Sequence, residues 1–323
     1  MGWRNTFPAS PRTFHPPPIE MYLASSKVAA RTLAAISTAC AVFTAFTSTA
    51  RAQSLGAAND YNAFIFGNFT SSGSDTEGRL AVGGNADLTG YSVGSSLGTT
   101  GGNTLVVGNN LTFSNGQVNK GNAVYGNTAT TSSFGIPDGS LIQGNPIDFA
   151  AAQSQLTGLS GSLAGMGANG TFTDSYGTLQ FVGTDPSLNT FTVTAPSVNS
   201  ANGIQITAPA NSTVVINIGG TSIDFDYFGI SIMNTDKQHV LYNFYEATTL
   251  SIAGITVQGS VLAPLANVSF TNGNVEGTLI ANNVSGNGEY HNHKFQGNLP
   301  IPEPSGVALV GLSLASLAFR RRR

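Results

Sequence analysis

Short groups of aliphatic and aromatic residues alternate along most of the chain with corners rich in glycine and asparagine. Glycines stand at four of these corners, namely Gly83, Gly108, Gly126 and Gly144. The spacing along the chain between successive glycines, called the step below, is long once and then shorter and equal twice. The segment from Gly259 to Pro264 returns in similar form from Gly277, after the same shorter step. Branched and aromatic residues favour strands, whereas Gly and Asn favour turns. The pattern predicts a mostly β fold, a β-solenoid (β-helix-like) whose stacked rungs bury one another's apolar faces.

A β-sandwich with glycine-rich hairpins is the alternative fold, because it also has turn signals every ~8–12 residues. The solenoid is favoured because the recurring groups match in side-chain type as well as in spacing. Between about residues 171 and 250 the strand-like segments are longer and lack the shorter step. This middle part is expected to form wider rungs or a decorated sheet.

One segment has helical periodicity instead. Asn145 is a capping residue, Pro146 suits the first helical position, and Asp148 would lie in the first turn. Apolar residues then follow at alternating steps of three and four from Phe149 to Met166. We predict one helix over about residues 146–166, packed along the flank of the solenoid.

The N-terminal region has the composition of an export signal. We interpret residues 21–52 as a signal peptide that starts at Met21, and residues 1–20 as an extension upstream of the native start. A basic region, an apolar stretch and a small-x-small cleavage site follow in the expected order: Lys27 and Arg31, residues 33–46, and Ala50 and Ala52 before Gln53. The mature chain then begins at Gln53.

The C-terminal segment, residues 300–323, has three parts. Pro302, Glu303 and Pro304 precede a charge-free run from Ser305 to Phe319, and the chain ends with Arg320, Arg321, Arg322 and Arg323. As a helix the run spans ~22 Å, and arginine snorkelling with local thinning can fit it to a bilayer. The arginines hold that end in the cytoplasm. We predict a sorting segment with a transmembrane-like helix and transient inner-membrane anchoring.

This order of motif, apolar run and arginines resembles the PEP-CTERM sorting signal of Gram-negative bacteria. The resemblance implies export through the translocon, followed by removal of the tail by an exosortase-type membrane protease. The final location implied is the cell envelope or the extracellular matrix.

The charge balance excludes one class of partner. Residues 53–304 contain four basic and fifteen acidic residues, a net charge of −11. Nucleic acid requires a basic footprint, so no nucleic-acid partner is expected. The only cysteine, Cys40, lies in the signal peptide, and no disulfide framework is available to the mature chain.

Five segments resemble the choice-of-anchor A family: residues 58–69, 73–85, 90–94, 259–264 and 286–293. Together they span about residues 58–297. The resemblance implies one extracellular β-solenoid domain over residues 53–299, with a flanking helix and an adhesive role. It brings no catalytic residue and no cofactor.

Two motifs suggest chemistry. Ser92 lies in a G-x-S-x-G sequence, but no helix start follows it, so a solenoid corner is favoured over a nucleophile elbow. Glu289, His291 and His293 occupy alternate positions and would share one face of a strand, where they are candidate metal ligands. No fourth ligand is indicated nearby, and a polar end of the solenoid is favoured over a metal site.

The function favoured is therefore that of an exported, surface- or matrix-associated adhesive protein of the biofilm type. Its partners would be exopolysaccharide or cell-surface glycans, and it would not be an enzyme. The alternative is a secreted carbohydrate-active enzyme, a polysaccharide lyase or hydrolase on a solenoid, which the four basic residues disfavour. Ice binding is less favoured, because threonine pairs such as Thr171 and Thr173 are few and irregular.

Overall fold

A computed structural model describes residues 55–98 and 102–300. The predicted signal peptide, its cleavage site and the C-terminal sorting residues lie outside the described residues. Within the described part, none of the helices combines the length and the apolar composition required to cross a membrane.

The N-terminal half consists of short strands. They are β1 (Ala63–Ile65), β2 (Phe69–Ser72), β3 (Asp75–Thr76), β4 (Leu80–Val82), β5 (Ala86–Thr89), β6 (Ser92–Val93), β7 (Asn103–Val107), β8 (Leu111–Val118), β9 (Asn122–Tyr125), β10 (Ala129–Gly135) and β11 (Leu141–Gln143). A 3-10 helix, Gly56–Asp60, precedes them, and helix α1 (Phe149–Ala164) follows them.

The C-terminal half begins with longer strands and returns to short ones. Its elements are β12 (Thr171–Ser175), β13 (Thr178–Val182), β14 (Leu188–Thr194), helix α2 (Ala195–Asn199), β15 (Gly203–Ala208), β16 (Thr213–Gly219), β17 (Ser222–Asp226), β18 (Gly229–Asn234), β19 (Val240–Asn243), β20 (Thr249–Ala253), β21 (Thr256–Val257), β22 (Ser260–Thr271), β23 (Asn274–Val275), β24 (Leu279–Gly286) and β25 (Glu289–Tyr290). A second 3-10 helix, Lys237–His239, precedes β19.

The strands form three faces that the chain visits in turn, and their pairings are parallel except for that of β12 with β13, which is antiparallel. The first face has the spatial order β14-β16-β19-β22-β24-β1-β4-β7-β9-β11. The second face has the order β17-β20-β22-β24-β2-β5-β8-β10. The third face contains the short strands β21-β23-β25-β3-β6-β8 and a separate four-stranded sheet, β12-β13-β15-β18. Parallel stacking in register is the geometry of a solenoid, and the predicted solenoid is confirmed over the sandwich.

The stack is discontinuous in sequence. The first rung of the N-terminal half lies against the last rung of the C-terminal half, with Ala63 paired to Leu279 and Thr76 paired to Tyr290. The N-terminal rungs therefore stack from the middle of the solenoid toward one end. Helix α1 returns the chain to the other end, and the C-terminal rungs stack from there back to the middle. We call the junction of β1, β2 and β3 with β24 and β25 the seam.

The predicted steps agree with the strand register. Leu80 pairs with Leu105, as the long glycine step predicts, and Leu105 pairs with Ala123, as the first shorter step predicts. In the middle part Leu188 pairs with Thr213, so a rung there uses as much chain as the long step. The wider rungs predicted for this part are confirmed.

The glycine at most of these corners has a steric cause. A Cβ added to Gly108 would lie 2.4 Å from the carbonyl oxygen of Gly83 on the preceding rung, and one added to Gly126 would lie 2.0 Å from that of Gly108. A rung can approach its neighbour this closely only where no side chain intervenes. Gly83, Gly108 and Gly126 are therefore close contacts between rungs, whereas a Cβ at Gly144 would lie 3.7 Å from Val124 Cγ1, an ordinary contact.

Helix α1 covers the first face. Ala152, Leu156, Leu159 and Leu163 are buried and pack with residues of that face in a second apolar cluster. Asn243 binds the helix by donating to the carbonyl of Ser160 at 2.9 Å and accepting from its hydroxyl at 2.6 Å. The helix begins later than expected, because Asp148 and not Asn145 is the N-cap, accepting from the amide of Ala151 at 2.9 Å.

Candidate functional site

The second face presents the most regular polar surface of the described chain. Alternate residues of its strands point inward to the core and outward to solvent, as in β2 and β5, where Phe69 and Ala86 are buried and Thr70 and Asp87 are exposed. Eight outward residues are aligned across eight strands: Asp224, Ser251, Ser269, Ser285, Thr70, Asp87, Thr112 and Thr130. We call this set the hydroxyl column. At ~4.8 Å per strand it is ~34 Å long.

A shorter row of hydroxyls runs beside the hydroxyl column. Ser72, Thr89, Ser114 and Ser132 are aligned across four neighbouring strands. The hydroxyls of Thr89 and Ser114 are 3.1 Å apart and bond to each other. The face therefore carries two parallel rows of short polar side chains at the spacing of the strands.

Asparagines at the corner before this face hold the rungs in register. The side-chain oxygen of Asn283 accepts from the amide of Asn68 at 2.6 Å, and that of Asn68 accepts from the amide of Asn85 at 2.9 Å. The side-chain oxygen of Asn110 accepts from the hydroxyl of Thr128 at 2.7 Å. Such a ladder fixes the height of each rung, so the outward residues are presented in a fixed array.

The face has a shallow cleft at the seam. Its volume is about 470 Å³, and its polar lining includes Thr70, Asp87, Thr89, Thr271 and Asn287. Gly286 also lines the cleft, and a larger residue does not fit there, because a Cβ would lie 1.9 Å from the carbonyl oxygen of Phe270. The lining residues come from both halves of the chain, so the cleft forms only where the seam brings these halves together.

The predicted metal ligands lie on the third face, also at the seam. Strand β25 ends at Tyr290, so His291 and His293 follow the strand and do not extend it. His291 Nδ1 is 2.6 Å from Glu276 Oε1, His293 Nε2 is 3.2 Å from Glu276 Oε2, and His291 Nε2 is 3.5 Å from Glu289 Oε2. Glu276 is the centre of the cluster, which the sequence interpretation missed.

This cluster is arranged as a set of ion pairs. The ammonium group of Lys237 also bonds to Glu276. Among the described residues, no group of three or more His, Cys, Asp or Glu side chains is arranged to hold a metal ion. Of the three predicted ligands, Glu289 contacts His291, while both imidazoles contact Glu276, which also bonds to Lys237.

The cluster has perturbed acid–base properties. Burial alone would raise the pKa of the Glu276 carboxyl, but hydrogen bonds from Lys237 and His291 and their positive charges lower it below its ordinary value. Burial alone would lower the pKa of His291, but the hydrogen bond and charge of Glu276, aided by Glu77 and Glu289, raise it. Each group therefore favours the charged form of the other.

The same cluster joins the two halves of the chain. The Asn62 side chain donates to the carbonyl of His291 at 2.7 Å, and the amide of Asn292 donates to Glu77 Oε2 at 2.9 Å. Asn62 and Glu77 belong to the first rungs, whereas His291 and Asn292 follow the last strand. We call Glu276, His291, Glu77 and Lys237 the seam cluster, and its geometry indicates a structural role.

Comparisons with known proteins identify a family for this architecture. The sequence model of a family described as "Putative Ice-binding-like adhesive domain" matches residues 54–292. The chain belongs to this family. The second face and the seam cluster both lie within the matched residues of this adhesive domain. A search of curated proteins finds no match.

Two solved structures are similar to this adhesive domain. One is the crystal structure of an ice-binding protein from the Antarctic ascomycete Antarctomyces psychrotrophicus, which is 15% identical, with a TM-score of 0.38, over 73% of this chain and 96% of that one. The other is an ice-binding protein from an Antarctic biological consortium, 15% identical, with a TM-score of 0.37, over 79% of this chain and 94% of that one.

Proposed function

We propose that this chain is an exported adhesive protein whose second face binds neutral polysaccharide. The observation that carries the proposal is the hydroxyl column, an outward row of short hydroxyl and carboxylate side chains along eight aligned strands. Membership of an adhesive family supports the adhesive role. The predicted export and sorting signals support a location at the surface or in the matrix.

The chemistry of the face suits a long, hydrated ligand. Serine and threonine hydroxyls both donate and accept, and the carboxylates of Asp87 and Asp224 accept from sugar hydroxyls. Each such contact in water contributes only about 0.5–1.5 kcal/mol. Repetition along a polymer makes the later contacts intramolecular, which raises the overall affinity. The net charge of −11 over residues 53–304 repels acidic glycans, so we propose a neutral chain.

Binding is favoured over cleavage. The cleft on the second face has one acid in its lining, Asp87, and no Arg or Lys. A glycosidase uses a pair of carboxylates that flank the bond to be broken. The carbohydrate-active enzyme weighed above therefore receives no support from this cleft.

The test removes hydroxyls without changing the strands. The triple variant Thr70→Val, Thr112→Val and Thr130→Val alters three positions of the hydroxyl column. The matched control, Thr192→Val and Thr256→Val, makes the same change at exposed threonines outside the second face. At ~1 kcal/mol per lost hydrogen bond, the triple variant should bind insoluble neutral polysaccharide at least about tenfold more weakly, measured by depletion from solution. Equal depletion by the triple variant and the wild type would reject the second face as the binding site. Release of reducing ends during incubation would favour the enzyme instead.

Ice is the second candidate ligand. The family description and the regular spacing of the hydroxyl column favour it. The sequence disfavoured ice binding because threonine pairs such as Thr171 and Thr173 are few and irregular. That pair lies on β12 and is not part of the second face. Thermal hysteresis and ice recrystallisation, measured with the same wild-type and triple-variant proteins, separate ice from polysaccharide.

A further inference from the structure

The four-stranded sheet of the third face carries an unusual concentration of exposed apolar side chains. Four of the seven exposed large hydrophobic residues of the described chain lie on this sheet or at its rim, namely Tyr176, Val182, Tyr227 and Met233. Tyr176 is fully exposed and Tyr227 is 77% exposed, whereas other tyrosines, such as Tyr91 and Tyr242, are buried. A concentration of large exposed apolar side chains on one sheet is typical of an interaction site.

The two exposed tyrosines also have strained backbones. Seven residues other than glycine have positive φ in the described chain, and five of these are asparagine or serine. The other two are Tyr176, with φ of 54°, and Tyr227, with φ of 55°. Short polar side chains tolerate this region, but a bulky ring gains nothing there and raises the energy of the turn. Stability therefore accounts for neither the exposure of these rings nor their conformation.

A groove lies beside the two rings. Thr178, Gly203 and Gly229 are aligned across β13, β15 and β18, and each tyrosine lies two positions ahead of its strand, before Thr178 and before Gly229. Because the two glycines have no side chains, they leave a channel of about 340 Å³. Tyr176 and Tyr227 thus precede two lining residues of the channel, Thr178 and Gly229, on strands that are two spacings apart, ~10 Å.

The lining of the groove is neutral. Its polar side chains are Thr178, Asn202, Gln205 and Ser231, and no charged side chain is among the lining residues. Hydroxyl and amide groups can donate and accept, which suits a ligand that carries many hydroxyls. A neutral lining distinguishes this groove from the cleft of the second face, which contains Asp87.

Both tyrosine-bearing turns are held firmly. Asn202 donates from its side chain to the carbonyl of Tyr176 at 3.2 Å, and Asp174 Oδ1 accepts from the amide of Gly177 at 2.9 Å. The amide of Tyr227 donates to the carbonyl of Ala253 at 2.9 Å. The ring of Tyr227 lies over Gly254, where an added Cβ would be 2.8 Å from its Cδ1 atom. Turns that are fixed in this way lose little conformational entropy when a ligand binds.

We infer that this groove is a second glycan-binding site, in which the rings of Tyr176 and Tyr227 stack on sugar units of a neutral oligosaccharide. The C–H face of a pyranose is apolar and packs on an aromatic ring, while Gln205 and Ser231 bond to its hydroxyls. The inference rests on the proposed function in that the ligand is again a neutral glycan. The site itself is separate from the second face. The groove is short and has aromatic rings beside it, whereas the second face is long and carries serine and threonine hydroxyls.

The test exchanges the tyrosines for a residue that favours their backbone. Asparagine tolerates positive φ, so the variant Tyr176→Asn and Tyr227→Asn should fold and should melt at a temperature equal to or above that of the wild type. Titration calorimetry with neutral hexasaccharides of glucose and of N-acetylglucosamine should give a Kd at least about tenfold weaker for this variant. A matched variant, Tyr176→Phe and Tyr227→Phe, keeps the rings and should retain the wild-type Kd.

The outcomes separate this site from the second face. The triple variant Thr70→Val, Thr112→Val and Thr130→Val should bind hexasaccharides like the wild type, because its groove is intact. Unchanged hexasaccharide binding by the asparagine variant would overturn the inference. So would a wild-type protein that depletes insoluble polysaccharide and yet binds no hexasaccharide, a result that would leave the proposed function standing. The converse result is that the wild type binds hexasaccharide while the triple variant still binds the insoluble polymer as well as the wild type does. That pair of results would support the groove and reject the second face.

Discussion

Replacing Glu276 by Gln tests the ion pairs that hold His291 in place beside the seam. Glu276 is 7% exposed, and its carboxylate binds Lys237 and His291. Glutamine keeps the size of the side chain but removes its charge, so Lys237 loses its carboxylate partner and His291 keeps only the weaker influence of Glu77 and Glu289. Removal of one partner of a buried ion pair costs about 3–5 kcal/mol. The side chains of Lys237 and His291 are 30% and 24% exposed, so water recovers part of this cost. We expect a loss of about 1–3 kcal/mol in the free energy of unfolding.

The dependence on pH gives the more specific signature. The pKa of His291 is raised in the folded protein, so the stability it contributes is fully present below the ordinary value of 6.5 and is lost as the pH rises through the folded pKa. The pKa of Glu276 is lowered, so its contribution is present above the ordinary value of 4.5 and is lost as the pH falls through the folded pKa. The seam cluster should therefore stabilise the protein most between these two titrations.

The assay is urea denaturation of wild type and Glu276→Gln at several values between about pH 5.5 and pH 8.5, a range that brackets histidine titration. The wild type should lose stability as the pH rises through the His291 pKa, and the variant should lose much less, because the group that raises that pKa is gone. Glu289→Gln is the matched control, since Glu289 is 53% exposed and lies 3.5 Å from His291. Parallel pH profiles for wild type and Glu276→Gln would refute the reasoning.

Two further predictions concern the helix and the tail. Leu156→Asp should lower the free energy of unfolding by a few kcal/mol, because Leu156 is wholly buried between α1 and the first face, whereas Ser154→Asp on the exposed side should change it by less than about 0.5 kcal/mol. Equal melting temperatures for these two variants would contradict the docked helix. Deletion of residues 302–323 should release the protein from the envelope or change its retention there, which cell fractionation measures. Mass spectrometry of the mature protein should show that its N-terminus is Gln53. An unchanged envelope distribution after the deletion would count against the sorting signal.

The seam explains why several sequence interpretations were incomplete. Glu289, His291 and His293 were expected to share a strand face, but β25 ends at Tyr290, and Glu276 on the neighbouring rung binds both imidazoles. A signal for this contact exists in the sequence. Strand β23 pairs in parallel with β25, which puts Glu276 beside His291 once the two strands are aligned.

The helix boundary illustrates a smaller error of the same kind. Asn145 and Pro146 have the composition of a helix start, yet the helix begins at Phe149 with Asp148 as its cap. Several neighbouring residues were suitable caps, and local preference could not choose among them. Packing of Phe149 against Phe64, with ring centroids 5.4 Å apart, selects the later start.

The sequence alone determined the local repeat: the steps between the corner glycines are the steps of the strand register, and the apolar stripe of α1 is the surface that it buries. These features depend on neighbours along the chain and on one repeated corner, so periodicity reveals them. Only the tertiary structure decided that the first rung pairs with the last, that the hydroxyl column is continuous across that junction, and that Tyr176 and Tyr227 lie at the start of two strands of one groove. The physical reason is that parallel strands pair wherever two open edges meet. A repeating pattern does not specify which edges will be neighbours, even when they lie as far apart in the chain as Asn62 and His291.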